Sequence, residues 1–139
     1  MSKNMSVILE LGNVMLIDTD VIIWFMRGNQ KAYDILTNCR EFNISVVTYI
    51  ELLQGLRNKA ELSMLKKAFR TWRVRIIHLS EEISLKAMAY IERYFLSHSL
   101  TMADALIAAT AISHNLPILT GNTRHYSCIA EVEVVPFES

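Results

Sequence analysis

Cysteine, glycine and proline are scarce in this chain of 139 residues, which contains two, four and two of them respectively. Cys39 and Cys128 lie far apart without a C-x-x-C spacing, which favours reduced thiols in a cytoplasm over a disulfide framework. The glycines form no phosphate-binding loop, and no serine or cysteine nucleophile stands in an elbow sequence. The four histidines show no i,i+4 pair, so a zinc site is not expected either.

An excess of either charge is also missing, since 14 basic residues balance 14 acidic ones. Any contact with nucleic acid must therefore come from a local patch. No run of about 18 apolar residues is present that would span a membrane, because Glu10 interrupts the apolar N-terminal stretch. Residues 1–14 are predicted to be an extension ahead of a single domain over residues 15–139, and a cytoplasmic protein is expected.

Apolar runs alternate with helical patterns along the chain. Because strands separated by helices pair in parallel through crossovers, the expected class is α/β, with a short parallel sheet of four to five strands flanked by helices. The predicted strands are 14–18, 42–47, 74–79, 118–120 and 132–135, and the predicted helices are 21–28, 30–39, one from Thr48, 60–72, 80–95 and 101–115.

Four polar residues stand at predicted strand ends or helix starts: Asp18, Glu51, Asp104 and Asn122. Ligands of an open parallel sheet bind beyond the carboxyl ends of its strands, so these side chains are expected to gather at one edge. Three carboxylates and an amide form an all-oxygen site for a hard divalent cation. The pattern indicates phosphodiester chemistry.

A purely structural role for the same acids, in helix caps and turns, remains an alternative. Thr48-Tyr-Ile-Glu51 fits a helix capping box and Thr101-Met-Ala-Asp104 nearly does, while Asp18 and Asp20 flank a turn in which aspartates bond nearby amides. Two carboxylates about 4 Å apart repel by about 4 kcal/mol at an effective dielectric of 20. A cluster of these acids would therefore need a cation or a shared proton.

Three segments in order carry a family resemblance: LIDTDVIIWFMRG, VVTYIELLQGLRN and TMADALIAATAISHNLPILTGNTRHY. They resemble the motif blocks of PIN-domain ribonucleases, and most closely the VapC-type toxins of bacterial toxin–antitoxin pairs. The resemblance covers nearly the whole chain from Met15 onward. It implies a PIN-like fold in three α/β/α layers.

The resemblance also implies roles for single residues. Asp18, Glu51 and Asp104 match the family's acids, and Asn122 matches a position that carries Asp or Asn. Mg²⁺ or Mn²⁺ would be held by Asp18 and Asp104 directly and by Glu51 and Asn122 through water, and hydrolysis would leave a 5′-phosphate and a 3′-hydroxyl. The neutral Asn122 argues against a tightly held second metal. Thr120 and Arg124 would orient water or a substrate phosphate, and Asp20 would support the site.

The partners implied by the resemblance are an RNA substrate, a small VapB-like antitoxin and a second copy in a homodimer, with promoter DNA bound only through the antitoxin. Two alternatives remain: an inactive PIN-like scaffold in which Glu51 and Asp104 only cap helices, and a structure-specific DNA nuclease of the same fold.

Two surface features have two interpretations each. Phe69 and Trp72 lie among basic residues and either form an RNA-binding surface or turn into the core beneath a solvated helix face; the basic residues are Lys66, Lys67, Arg70, Arg73 and Arg75. Tyr90, Tyr94 and Phe95 either belong to the core or face a partner.

Overall fold

The computed structural model describes residues 14–139. The predicted extension over residues 1–14 therefore lies outside the described residues except for Val14, which begins the first strand. The strands are β1 (Val14–Ile17), β2 (Glu41–Ser45), β3 (Arg75–Ile77), β4 (Ile118–Thr120) and β5 (Val134–Pro136). The α-helices are α1 (Thr19–Met26), α2 (Gln30–Thr37), α3 (Val46–Gln54), α4 (Lys59–Thr71), α5 (Glu81–Tyr94) and α6 (Met102–Ser113), and a 3₁₀ turn spans Thr123–His125.

All five strands pair in parallel in the order β3-β2-β1-β4-β5. The predicted α/β class and parallel sheet are confirmed. The central strand β1 pairs Leu16 with Asn43 of β2 on one side and with Ile118 of β4 on the other. The carboxyl ends of these three strands consequently meet at one edge of the sheet.

The two faces of the sheet carry separate apolar cores, because successive residues of a strand point to opposite faces. Met15 and Ile17 face a core that includes buried residues from helices α1 to α4. Leu16 and Ile118 face a second core formed with α5 and α6. The arrangement is a helix, sheet and helix sandwich, as the resemblance implied.

Two helices differ from their predicted form. The apolar segment 21–28 predicts a buried helix, but only Val21 and Ile22 of α1 are buried, and Trp24 and Met26 reach solvent. Helix α3 starts at Val46 instead of Thr48, because β2 ends at Ser45 and the Ser45 hydroxyl accepts a hydrogen bond from the Val47 amide at 3.0 Å. The prediction that Thr48 begins a capping box is therefore wrong.

The other helix starts agree with their local signals. Ser80 caps α5 by accepting a hydrogen bond from the Ile83 amide at 3.2 Å. Thr101 caps α6, and Asp104 completes a capping box. Ser80 and Thr101 both have a short polar side chain and an extended backbone, and each stands directly before a helix with apolar residues at helical spacing. In this arrangement the side chain satisfies free amides at the helix start.

Candidate active site at the carboxyl edge of the sheet

Strands β1 and β4 lie side by side, and each is followed at once by polar residues. Asp18 comes directly after β1, and its amide donates to the Leu119 carbonyl of β4 at 3.0 Å. Gly121 and Asn122 come directly after β4. The predicted convergence of Asp18 and the segment that holds Asn122 is therefore present in the backbone.

Asp18 is the most completely bonded acid of this edge. Its Oδ1 accepts from the Thr19 amide at 2.8 Å, which makes Asp18 the N-cap of α1. Its Oδ2 accepts from the Thr120 hydroxyl at 2.8 Å and from the Tyr126 hydroxyl at 3.0 Å. Three donors thus fix the orientation of a carboxylate that is only 5% exposed.

Burial nevertheless raises the pKa of Asp18 above its usual range, and the nearby charge of Asp104 raises it further. The hydrogen bonds from Thr120, Thr19 and Tyr126 act in the opposite direction because they favour the ionised form. Burial and the charges of the nearby acids raise the pKa of the Tyr126 phenol, so Tyr126 stays protonated and donates a hydrogen bond to Asp18. When the acids of this edge are ionised, they lack a compensating positive charge.

Asp104 lies in the first turn of α6, where the second core holds that helix against the sheet. Its Oδ2 accepts from the Thr101 amide at 3.1 Å, and the Asp104 amide donates to the Thr101 hydroxyl at 3.1 Å. Its Oδ1 lies 3.4 Å from Nδ1 of His125 in the turn after β4. Asp104 is therefore both a helix cap and a buried acid that influences Asp18.

Glu51 reaches the same edge from the middle of α3 and not from a helix start. Its Oε1 accepts from the Thr19 hydroxyl at 2.7 Å, and that hydroxyl also contacts the Thr48 hydroxyl at 3.0 Å. Thr19 follows Asp18 directly, so this contact ties Glu51 to the start of α1. The prediction that Glu51 caps a helix is wrong. The alternative of an inactive scaffold, in which Glu51 and Asp104 only cap helices, therefore holds for Asp104 alone.

Asp20 packs against the turn that follows β4. Its Oδ2 accepts from the Gly121 amide at 2.8 Å, while its buried Oδ1 has no partner among the described residues. A side chain on residue 121 would meet Oδ2 at 2.6 Å, so only glycine admits this approach. Burial, followed by the charge of Asp18, raises the pKa of Asp20.

The remaining predicted residues lie near the site in different ways. Thr120 is fully buried, and its hydroxyl donates to Asp18 and accepts from the Asn122 amide at 3.0 Å. The side chain of Asn122 is exposed and makes no hydrogen bond within residues 14–139. Arg124 is exposed in the 3₁₀ turn beside His125. Thr120 thus orients an acid, whereas Asn122 and Arg124 face solvent.

The donor chemistry of this edge suits a hard cation. Over residues 14–139, no group of three or more His, Cys, Asp or Glu side chains is arranged so that it could hold a metal ion. Mg²⁺ commonly binds through one or two carboxylates and takes its other ligands from water and substrate phosphates. Asp18 and Asp104 are both buried, and the charge of Asp104 raises the pKa of Asp18, which fits that kind of site.

The basic segment of α4 does not form an aromatic RNA surface. Phe69 packs against Tyr49 with ring centroids 5.4 Å apart, and Trp72 packs edge-on against Phe25, also at 5.4 Å. Both rings lie against the core beneath α4. The alternative in which the aromatic residues turn into the core is confirmed, and the charges of this segment remain on a solvated face.

Sequence patterns do not predict the contacts of Thr19 with Glu51, of Tyr126 with Asp18, or of His125 with Asp104. Each joins residues far apart in the chain. Thr19 lies in LIDTDVIIWFMRG, the first of the three segments that carry the family resemblance. Its position next to Asp18 therefore indicates that it lies at the site. No local pattern marks Tyr126 or His125, because both depend on how the turn after β4 folds back.

Comparison with known proteins gives a consistent result. The PIN domain model matches residues 15–131. Ribonuclease VapC10 of Mycobacterium tuberculosis is 33% identical over 124 residues, which are 86% of this chain and 91% of that protein. Ribonuclease VapC of Rickettsia bellii is 32% identical over 133 residues, covering 87% of this chain and 94% of that protein.

A solved toxin–antitoxin complex from Klebsiella pneumoniae contains a similar chain. It has 29% sequence identity and a TM-score of 0.74, and the match covers 90% of this chain and 99% of that one. The similarity therefore extends over nine-tenths of this chain.

Proposed function

The chain belongs to the PIN-domain family of VapC ribonucleases, and on that premise we propose that it is a metal-dependent endoribonuclease toxin that a cognate antitoxin neutralises. The observation that carries the proposal is the buried carboxylate of Asp18, held by three hydrogen-bond donors beside Asp104 at the end of the central strand. If these acids served only stability, burying two of them close together would be unfavourable, because each carboxylate loses hydration and the two negative charges repel.

The proposed roles are those that the family resemblance implies. Asp18 and Asp104 would hold the cation directly, and Glu51 and Asn122 would contact it through water. Thr120 and Tyr126 keep the Asp18 carboxylate in place, and Thr19 does the same for Glu51. Residues that orient ligands in this way usually change metal affinity or activity by about 10- to 100-fold when they are removed.

A bound Mg²⁺ or Mn²⁺ supplies a Lewis acid for phosphodiester hydrolysis. The chain contributes acceptors that need positive charge, since burial raises the pKa of Asp18 and of Asp20. Arg124 is exposed in the turn after β4, and its guanidinium would pair with a phosphate oxygen of the substrate. Cleavage is expected to leave a 5′-phosphate and a 3′-hydroxyl.

The proposed partners are RNA, a small VapB-like antitoxin and a second copy of the chain in a homodimer, with promoter DNA bound only through the antitoxin. The similar Klebsiella pneumoniae structure is a toxin–antitoxin complex, which supports an antitoxin partner. No helix within residues 14–139 has the length and apolar character to cross a membrane. We propose a cytoplasmic protein whose residues 15–139 form one domain.

The first test measures Mn²⁺ binding by calorimetry in wild-type protein and in Asp18→Asn and Asp104→Asn variants. Binding by the wild type and its loss in both variants is the expected result. Cleavage of single-stranded RNA is followed in parallel with Mg²⁺, with a chelator, and with Asp104→Asn protein purified identically. Equal cleavage by that variant would expose a contaminating nuclease.

The same samples separate the alternatives. A wild-type protein that binds no Mn²⁺ and cleaves no RNA would support an inactive scaffold. Preferential cleavage of a flap DNA over single-stranded RNA would support a structure-specific DNA nuclease.

A further inference from the structure

A cavity of about 670 Å³ opens next to Asp104, between the loop that joins α5 to α6 and the turn after β4. His125 lines this cavity, and its Nδ1 also lies 3.4 Å from Asp104 Oδ1. One side chain therefore separates the cavity from the proposed cation site. Its volume lies within the range of about 300 to 1,000 Å³ that is typical of small-ligand pockets.

The lining of this cavity suits an anionic ligand. Arg124, His125 and His98 are among its lining residues, together with the hydroxyls of Ser97 and Ser99, and no described carboxylate lines it. Three other cavities in the described part of the chain each have at least one glutamate in the lining. The chain carries no net charge, so this local composition distinguishes the surface beside the acids.

His98 is held in place at the rim of the cavity. Its Nδ1 shares a hydrogen bond with the Ser97 hydroxyl at 2.8 Å, and its ring packs edge-on against Tyr94 with centroids 5.4 Å apart. The Nδ1 atom is thereby occupied, and Nε2 remains as the hydrogen-bonding atom of the ring. A positioned imidazole is better suited to recognise a ligand than a freely rotating one.

Phe95 supplies an aromatic surface at the same place. It lines the cavity and is 62% exposed, although it follows directly after a helix whose Tyr90 is only 7% exposed. A phenyl ring left in water gains free energy when a planar base stacks on it, and every base offers such a face. An exposed ring beside a guanidinium is the combination that single-stranded nucleic-acid sites use.

We propose that this cavity binds one nucleotide of single-stranded RNA next to the cleaved phosphodiester, with its base on Phe95 and its phosphate on Arg124. His98 and the hydroxyls of Ser97 and Ser99 contact the base edge or the ribose. This inference rests on the proposed ribonuclease function and assigns part of its substrate recognition to the α5–α6 loop.

The test measures binding of a short fluorescent single-stranded RNA of mixed sequence in the presence of EDTA, so that cleavage and metal binding do not contribute. Phe95→Ala is expected to weaken binding about tenfold, because stacking on one aromatic ring is worth about 1 to 3 kcal/mol per base. Phe95→Tyr retains the ring and is expected to bind like the wild type. Leu85→Ala is the matched control, since Leu85 is a 57% exposed apolar residue of α5, the helix that ends directly before Phe95.

Arg124→Ala is tested by the salt dependence of binding. Loss of one phosphate contact lowers the slope of log affinity against log salt by about one. Arg70→Ala removes an exposed arginine of α4 and is expected to leave the slope unchanged. His98→Ala is compared with His114→Ala, because His98 lies before the start of α6 and His114 lies after its end, and this helix of 12 residues is about 18 Å long.

Two outcomes would overturn the inference, and they are distinguishable. If the wild type cleaves RNA in a chelator-sensitive way but Phe95→Ala and Arg124→Ala bind RNA like their controls, the cavity is not a nucleotide site and the ribonuclease function stands. If the wild type neither binds nor cleaves RNA, the proposed function and this inference both fail.

Discussion

Two segments of this protein share a threonine followed three residues later by an acid, yet the fold uses them differently. In Thr101 to Asp104 the threonine caps α6, and the acid closes a capping box while it faces Asp18. In Thr48 to Glu51 the helix has already begun at Val46, and the acid lies in mid-helix bound to Thr19. The same local spacing therefore leads to a helix cap in one place and to a tertiary contact in the other.

The difference arises from where the preceding strand ends. Ser45 still pairs with Ile77 of β3, and its hydroxyl takes the capping position immediately after β2. The α5–α6 loop has no such strand before Thr101, so the threonine itself becomes the cap. An acid in the first turn is oriented by its own helix, whereas an acid in mid-helix needs a partner from elsewhere.

The largest expected effect compares the two acids in catalysis. Asp104→Asn is expected to lower RNA cleavage by about 1,000-fold or more, because it removes a charge that is proposed to hold the cation, and such charge stabilisation is worth several kcal/mol. Glu51→Gln retains an oxygen that can accept from Thr19 and is expected to cost about 10- to 100-fold. Initial cleavage rates at saturating Mg²⁺ measure both.

Mn²⁺ titration of the same variants provides the control for direct and water-mediated contact. Asp104→Asn is expected to abolish binding and Glu51→Gln to weaken it. If Glu51→Gln lost as much binding and activity as Asp104→Asn, Glu51 would hold the cation directly and the proposed distinction between the acids would be wrong.

A smaller effect compares the two threonines in stability. Thr101→Val removes a helix cap and is expected to lower the free energy of unfolding by about 1 kcal/mol. Ser45→Ala is expected to have a similar cost for the same reason. Thr48→Val keeps the shape of a buried side chain and leaves the Thr19 hydroxyl bonded to Glu51, so its cost is expected to be smaller.

Urea unfolding monitored by circular dichroism gives all three values. A Thr48→Val cost equal to that of Thr101→Val, together with a neutral Ser45→Ala, would restore the capping box at Thr48 and contradict the observed start of α3.

The parts of the fold that the sequence predicts correctly are those that neighbouring residues mark, such as strand ends and helix caps. The run Ile118–Thr120 is short, but Pro117 before it and the polar residues after it mark its ends, and it forms β4 as expected. Ser80 and Thr101 are correctly predicted caps, because a cap depends on residues within one helical turn. Thr48 is the exception, since a competing cap stands three residues earlier.

The site is predicted less completely, because its contacts join distant parts of the chain. The positions of Asp18 and Asp104 follow from the strand end and helix start that carry them. Tyr126 reaches Asp18 only through the turn after β4, and the side chain of Glu51 is positioned by Thr19 of another helix. Hydrogen bonds of this kind depend on tertiary packing and have no sequence period.

The smallest expected effect is on the pH dependence of stability, and it distinguishes Asp104 from Glu51 by their influence on Asp18. Burial first, and then the charge of Asp104, raises the folded-state pKa of Asp18 above the ordinary value of 3.8, while Glu51 does not contribute to that shift. A carboxyl whose pKa is raised on folding contributes stability below its unfolded pKa, and that stability is lost as the pH rises through the folded pKa. Asp104→Asn removes one cause of the shift and is expected to reduce this loss, whereas Glu51→Gln is expected to leave it unchanged. The thermal midpoint of metal-free Asp104→Asn should therefore rise relative to wild type as the pH increases above the ordinary pKa of 3.8. A parallel pH dependence of the two variants would show that Asp104 does not act on Asp18.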